Sequence, residues 1–445
     1  MDRKKYDVIV TGGGPAGMAA VVSAARAGAS TLIIEKNSFL GGCAASGLPY
    51  IDFFSSTGEQ LIAGAAEELM RRLNREGASL GHIRTGNGHL NSITMIDPEW
   101  VKICGEEMLL EAGCSILYNS FVCKAQIQDN TLASVFVANK AGISEFSADC
   151  FVDATGDGDT AAFAGADFEK GRPEDGLMQA MSLLFRLVNV DVKTATGLFD
   201  RSPIVTLPKG TDETYNVHIN GTLSRWNDIL EKEGIFDHPD HNLWAGTLRH
   251  NELTYVNTVR VAGKDGTDPW QLTAAEMEGR RQLKSILRFL NKNVPGFEKA
   301  YIGAVQNSIG VRETRRITGV YTLTGDDVVS GRKFEDGVGK NGYCIDIHDP
   351  RGKGWTSTAI QSPDASYDIP YRCLVPATLD GLLVAGRCVS TTHEALASIR
   401  IMPSCMATGQ AAGTAAAMAA AQKAAPRSID TGELRARLIK DGAIL

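Results

Sequence analysis

Two histidines and two arginines in the second half of this chain have residue types and settings suited to proton transfer and anion binding. His393 stands in Cys388-Val389-Ser390-Thr391-Thr392-His393-Glu394-Ala395, just past the turn Ala385-Gly386-Arg387. An imidazole titrates near neutrality, so His393 suits a general acid or base, with a structural loop histidine as the alternative. Arg400, shortly before Pro403 and a small-residue segment, suits the anchoring of an anion. Arg312 lies in Ile309-Gly310-Val311-Arg312-Glu313-Thr314-Arg315-Arg316-Ile317. On a strand, Arg312 and Thr314 face one way and Glu313 and Arg315 the other, so only part of this cluster can address one pocket. A guanidinium there can grip a carboxylate through two parallel hydrogen bonds, or it can brace a domain interface through ion pairs. His348, in Asp346-Ile347-His348-Asp349-Pro350, carries the same two readings. No His/Cys/Asp/Glu spacing suggests a metal site.

Such side chains must be held by rigid elements, and the N-terminus supplies a specific one. The apolar run Val8-Ile9-Val10 feeds Gly12-Gly13-Gly14-Pro15-Ala16-Gly17, an alanine-rich helix follows, and the next strand, Thr31-Leu32-Ile33-Ile34, ends in Glu35. In this strand, turn, helix and strand context the glycines form a dinucleotide-binding fingerprint. Gly12 permits the tight turn, Gly14 lets a pyrophosphate approach the backbone, Gly17 lets helix and strand pack closely, and Glu35 is placed to accept from a ribose. Glu35-Lys36 then leads to the doublet Gly41-Gly42 and to Cys43. Two further strand-to-turn patterns follow, Phe151-Val152-Asp153-Ala154-Thr155-Gly156-Asp157-Gly158-Asp159 and Leu382-Leu383-Val384-Ala385-Gly386-Arg387. Thr408-Gly409-Gln410-Ala411-Ala412-Gly413 is expected to open a last small-residue helix.

On these residues the sequence resembles the FAD-dependent oxidoreductases of the glutathione-reductase-like superfamily, in the branch with one N-terminal nucleotide-binding domain and an inserted substrate domain. The stretch Ile309 to Ile317 is similar to a signature of the bacterial FAD-dependent oxidoreductase family within it. The resemblance implies FAD as cofactor and an α/β fold: a Rossmann-type parallel sheet with a small β-meander, plus an inserted α+β substrate domain. It implies cofactor contacts from Gly12, Gly14, Pro15, Ala16, Gly17, Glu35, Lys36, Gly41, Gly42 and Cys43, and from Ala154, Thr155, Gly156, Asp159, Gly386 and Arg387. Val122 is implied to touch the adenine, and the backbone of Gly409, Gln410, Ala411 and Ala412 to stabilise negative charge on the reduced flavin. The loop from Cys388 to Pro403 is then expected to floor the active site. Cys43 follows the doublet that the family places near the flavin, but Ala44-Ala45-Ser46-Gly47-Leu48 offers no second thiol, which disfavours a dithiol mechanism.

The pattern along the chain predicts a cofactor domain over residues 1–165, an inserted substrate domain over 166–370, and a return to the cofactor sheet over 371–445. Helical spacing covers 59–76 and 98–112, the latter entered through Asp97-Pro98-Glu99; Cys114 to Leu117 reads as a returning parallel strand, and Ala125 to Cys150 as an antiparallel meander. In the inserted region, Ser182 to Leu187 and Tyr343 to Ile347 read as strands, and Thr273 with Glu276 as a capping box for a long basic helix. Gly337-Val338-Gly339-Lys340-Asn341-Gly342 matches the glycine fingerprint in form only, because a polar segment precedes it and a strand-like run follows. A second nucleotide domain is therefore not expected.

A net charge of −7 and a pI near 5.7 give no reason to expect nucleic-acid binding. Nine cysteines without paired spacing read as reduced thiols of a cytoplasmic protein. The fingerprint accounts for the N-terminal apolar run better than a secretory leader does, so the mature chain is expected to start at Met1, and the alanine-rich segment Ala411 to Ala425 is expected to be a packed helix and not a membrane span. These readings lead to an FAD-dependent oxidoreductase that moves a hydride between the flavin and a small organic substrate, with an external electron acceptor or a separate reductase. The resemblance leaves two alternatives: a flavoprotein component of an electron-transfer or tRNA-modifying assembly, and a nucleotide-binding protein whose flavin is structural.

Overall fold

A computed structural model of the chain describes residues 5–86, 89–201, 204–206, 219–233, 242–249, 251–352 and 354–445. The expectation placed on Met1 lies outside them. The opening strand β1 (Lys5–Thr11) runs into helix α1 (Pro15–Arg26) and strand β2 (Thr31–Ile34), with Val8, Ile9, Val10 and Ile33 fully buried. Apolar runs without alternation suit strands covered on both faces, as in parallel sheets. Strand β3 (Ser115–Leu117) pairs parallel with β2, as the sequence predicts. The meander consists of β4 (Phe121–Gln128), β5 (Thr131–Asn139) and β6 (Gly142–Asp153), a wider span than its composition indicates. Its first turn places Asp129 and Asn130 both at positive φ, the geometry that matches hairpin twist. Strand β6 continues out of the meander to pair parallel with β1, so one strand joins both parts of the sheet.

The seven-stranded sheet has the order β3-β2-β1-β6-β5-β4, and the late strand Leu382–Val384 adds parallel to β6. The chain thus returns to its first sheet after some two hundred intervening residues. Helix α2 (Ala65–Arg75) starts later than its periodicity suggests, after Gly64 at φ +62°, and α3 (Pro98–Glu111) is capped by the Asp97 carboxylate accepting from Glu99 N–H.

Between these parts, a six-stranded antiparallel sheet places Phe185–Val188 between Glu252–Val256 and Tyr301–Val305. Its core includes Leu183, Phe185, Leu187, Val256 and, from helix α4 (Pro269–Asn293), Ile286, Phe289 and Leu290. The cap of α4 differs from expectation. Asp268 accepts from the N–H groups of Trp270 and Gln271, while Thr273 lies inside the helix and donates to the Pro269 carbonyl. Glu276 instead accepts from Ile309 N–H and pairs with Arg280. Proline at the first helical position draws the start forward, and the shorter Asp side chain caps it.

Gly337–Asn341 is a strand antiparallel to Tyr367–Pro370, so the second glycine pattern forms no phosphate loop. The expected strand at Ser182 is shorter, Phe185–Val188, and that near Tyr343 is Ile345–His348.

Near the C-terminus, α5 (His393–Ile399) precedes α6 (Met402–Gln422). Helix α6 crosses α1 at very close range: a Cβ on Gly409 would lie 2.1 Å from the Ala16 carbonyl oxygen, and one on Gly413 1.9 Å from that of Ala20. Small residues on both helices are what allow their backbones to approach this closely. Among the described residues no helix is long and apolar enough to cross a membrane.

Candidate active site

A cavity of about 460 Å³ runs from the first βα turn to the inserted sheet. At one end, β1 delivers the chain into Gly12, whose φ of +93° and whose absent Cβ, 2.5 Å from the Ala154 carbonyl oxygen, demand glycine. Gly14 is the N-cap of α1, with φ −71°, no side-chain cap, and nothing within 4 Å of the position a Cβ would take. The first-turn N–H groups of α1 therefore face open cavity, a ready position for a phosphate. The Glu35 carboxylate accepts from Gly13 N–H at 2.5 Å and from Asn37 N–H and Nδ2 at 2.7 Å, tying the glycine loop to the end of β2. A carboxylate offers about four acceptor directions, so a ribose hydroxyl can still be received. Lys36 and Val122 line this end as well.

The middle of the cavity is bounded by Gly42, Cys43, Ala154, Thr155, Gly156, Asp159, Gly386 and Arg387. Asp153, at the tip of β6, accepts from Thr155 and from Ala161 N–H, and burial pushes its carboxyl up to about 6. Beside it Arg387 donates to Asp157 at 2.8 Å. Burial opposes the Asp157 charge, but Arg387 and Thr314 together keep the carboxyl below its ordinary value. Burial pushes the Cys43 thiol up, with Arg387 acting the other way. An open, uncapped helix N-terminus, a ribose-height carboxylate and a glycine-lined passage fit the two phosphates and the adenosine half of FAD.

At the far end the cavity meets Arg312, His348 and Arg400 together. Arg400, the C-cap of α5, donates through Nη2 to the Asp346 carboxylate at 3.2 Å and to its carbonyl at 3.1 Å. Asp346 also accepts from Tyr343 Oη at 3.0 Å and pairs with His348 Nε2 at 3.2 Å. His348 Nδ1 is bonded to an Arg260 guanidinium nitrogen. Arg260 can only donate, so Nδ1 is the acceptor and the proton sits on Nε2, in a neutral ring. Burial first, then Arg312, pushes the imidazole well below its usual value, consistent with that tautomer. Both ring nitrogens of His348 are thereby committed, Nδ1 to Arg260 and Nε2 to Asp346. Asp346 and His348 alternate on one strand, a spacing that could have flagged their shared face; nothing local flags Arg260.

Several sequence-derived positions lie elsewhere. His393 is buried, apart from the cavity lining, with Nδ1 2.9 Å from Glu313, which also pairs with Arg316 and accepts from Gln179 N–H. The expectation that His393 floors the site differs from the structure in position: the ring lies outside the cavity lining, and Nδ1 is committed to Glu313. Gly17 does not line the cavity, since a Cβ there would sit 1.8 Å from the Gly12 carbonyl oxygen; its role is close packing. Gly41 shapes the loop, at φ +106° and with its N–H on the Gly13 carbonyl. Gly409, Gln410, Ala411 and Ala412 fall within α6, whose N-terminus is Met402, so their N–H groups are spent inside the helix. Gln410 faces away, accepting from Ala65 N–H and donating to the Asp441 carbonyl. The residues of this helix that line the cavity are Met402 and Cys405, with Ile401 at its cap. The Arg312 cluster does not divide by strand alternation, because the strand covers only Arg315–Ile317: Arg312 lines the cavity, Thr314 bonds Asp157, and Glu313 pairs with Arg316, not Arg315, both buried beside His393. Arg315 bonds Asp159. Among the described residues no group of three His, Cys, Asp or Glu side chains could hold a metal.

The family model described as FAD dependent oxidoreductase matches residues 7–438. No curated protein matches the chain. Among solved structures, the chain is similar to a geranylgeranyl bacteriochlorophyll reductase-like protein from Thermoplasma acidophilum, at 15% identity and a TM-score of 0.48, covering 99% of this chain and 85% of that one. It is similar also to p-nitrophenol 4-monooxygenase from Pseudomonas putida, at 13% identity and a TM-score of 0.48, covering 98% and 84%. A third similarity is to a myxobacterial chondrochloren halogenase, at 14% identity and a TM-score of 0.47, covering 98% and 78%.

Proposed function

Because the chain belongs to the FAD dependent oxidoreductase family, we propose that it moves a hydride between FAD and a small organic substrate seated against Arg312, His348 and Arg400. The observation that carries this reading is the continuity of one cavity, from the uncapped N-terminus of α1 to the inserted sheet. Bound flavin supplies the two-electron chemistry, and the protein supplies position and electrostatics.

The chain's own contributions follow from the geometry. Helix α1 and the backbone of Gly12 to Ala16 hold the diphosphate, and Glu35 orients the ribose while bracing the loop. The Arg387–Asp157 pair is fixed and nearly neutral in sum, so it rigidifies the middle of the cavity without drawing a second anion there. At the far end, the guanidinium of Arg400, held by Asp346, orients the substrate. An external electron acceptor or a separate reductase completes the cycle in this reading.

The test is to purify the protein, release and identify its flavin, and screen candidate substrates anaerobically for bleaching of the oxidised flavin absorbance. Bleaching by a small organic compound, reversed on adding an acceptor, is the expected result. Protein that folds but retains no FAD, or flavin that only a protein partner can reduce, overturns the reading.

A further inference from the structure

We propose that the substrate is an organic carboxylate with a flat, unsaturated body, its carboxylate held between Arg312 and Arg400 and its body lying along Trp355 and His89. The inference rests on the proposed function and deepens it by naming the substrate class.

Arg312 and Arg400 both line the far end of the cavity, where Asp346 is the one lining carboxylate among the described residues. Oδ2 of Asp346 is already shared by Tyr343, His348 and Arg400, and His348 is neutral by its bond to Arg260. Arg312 donates to the Ala180 carbonyl and, at 2.8 Å, to Ser182 Oγ, both uncharged. Burial works against its cation, and so do the neighbouring charges of Arg260 and Arg400. A guanidinium does not escape this by losing its proton, so an anion brought between the arginines removes the cost.

A second observation concerns Arg400 alone. Its Nη2 is occupied by Asp346, but its Nε is buried and bonded to nothing. Buried donors are rarely left so, and an absent acceptor is the direct explanation. One oxygen of a carboxylate can accept from this Nε–H while the other meets the Arg312 guanidinium, both as charge-assisted hydrogen bonds.

The walls exclude an inorganic anion as the natural occupant. The Trp355 ring lies 4.9 Å from that of His89, which in turn meets Tyr343 at 5.8 Å, and Ile401 packs with Tyr343 to extend this apolar surface. Sulfate or phosphate would leave that surface wet, whereas a planar carbon skeleton covers it.

The experiment uses the FAD-loaded protein and three carboxylate probes, benzoate, cinnamate and fumarate, each beside its amide. Perturbation of the visible flavin spectrum and of tryptophan fluorescence reads binding, and released flavin reads cofactor content. At least one carboxylate should bind tenfold or more tightly than its amide, and Arg312→Gln and Arg400→Gln should each weaken it tenfold or more with FAD content unchanged. Equal binding of acid and amide, binding of sulfate as tight as the best carboxylate, or no binding of any probe overturns the inference while leaving the FAD reading intact. Loss of FAD in both arginine variants, with probe affinity unchanged in what remains, reassigns the arginines to the flavin and also overturns it. The wild-type acid and amide comparison stands even where a variant fails to fold, and protein lacking FAD throughout defeats the earlier reading instead.

Discussion

The Nδ1 atom of His393 lies 2.9 Å from the Glu313 carboxylate, with the two side chains 3% and 0% exposed. Arg316 bonds the same carboxylate and reaches the Thr391 and Gly171 carbonyls, so the cluster stitches the approach to α5 onto the inserted region. Removing the imidazole strands one acceptor direction of a carboxylate that keeps two other donors. His393→Ala should therefore lower stability by about 1 to 3 kcal/mol and leave the rate of flavin reduction in the folded fraction near wild type. Thermal unfolding and single-turnover reduction, measured together, separate the outcomes: an unchanged melting temperature with reduction slowed a hundredfold restores His393 to catalysis.

Gly14 and Gly17 should fail in different ways. A side chain at Gly14 meets no atom within 4 Å and the backbone there is extended, so Gly14→Val should fold and lose FAD by filling the diphosphate's approach. A Cβ at Gly17 falls 1.8 Å from the Gly12 carbonyl oxygen, so Gly17→Val should lose both stability and cofactor. Flavin content and circular dichroism of the two variants decide this. Retention of FAD by Gly14→Val would place the diphosphate elsewhere.

His348 should give stability an acid-side dependence. Its folded pKa is depressed, chiefly by burial, so between that value and the unfolded one of about 6.5 the unfolded chain binds a proton that the folded chain refuses. Its contribution is therefore complete above about pH 6.5 and is lost as pH falls below it, at up to about 1.4 kcal/mol per pH unit. Asp153, raised by burial to about 6, acts in the opposite sense, favouring the folded state as pH falls from 6 toward its unfolded value. The comparison is thus between His348→Asn and wild type, with Asp346, Arg260 and Arg312 around the ring in both. The variant's melting temperature should fall less between about pH 7 and about pH 5. Parallel curves would mean the ring titrates in the fold as it does in the unfolded chain, and a variant falling more than wild type would mean it is already protonated in the fold.

NADH alone should bleach the bound flavin slowly. The second glycine pattern is a strand paired with Tyr367–Pro370, leaving it no helix N-terminus to offer a diphosphate. Stopped-flow mixing at micromolar NADH tests this, and bleaching within milliseconds contradicts it.

Local sequence determined the first βα unit almost completely. The φ required at Gly12, the uncapped N-terminus before Pro15, the apolar β1 and the acid ending β2 each depend on neighbours within a few residues, where composition constrains conformation directly. The same holds for the Asp129-Asn130 hairpin and for the failure of Gly337 to Gly342 as a phosphate loop. Alternation around Arg312 did not divide that cluster, because its strand begins only at Arg315 and Glu313 turns to pair with Arg316. The sequence did not determine which face of each element meets the cavity. Whether His393 addresses the cavity or Glu313 depends on contact across 80 residues, and the neutrality of His348 depends on Arg260, 88 residues away. The helix carrying Gly409 starts at Met402 and is set by its fit against Ala16 and Ala20, a contact between opposite ends of the chain. Burial and charge pairing arise only when distant segments meet, so tertiary structure alone decided which ionisable groups stand ready for a ligand and which are consumed in holding the fold.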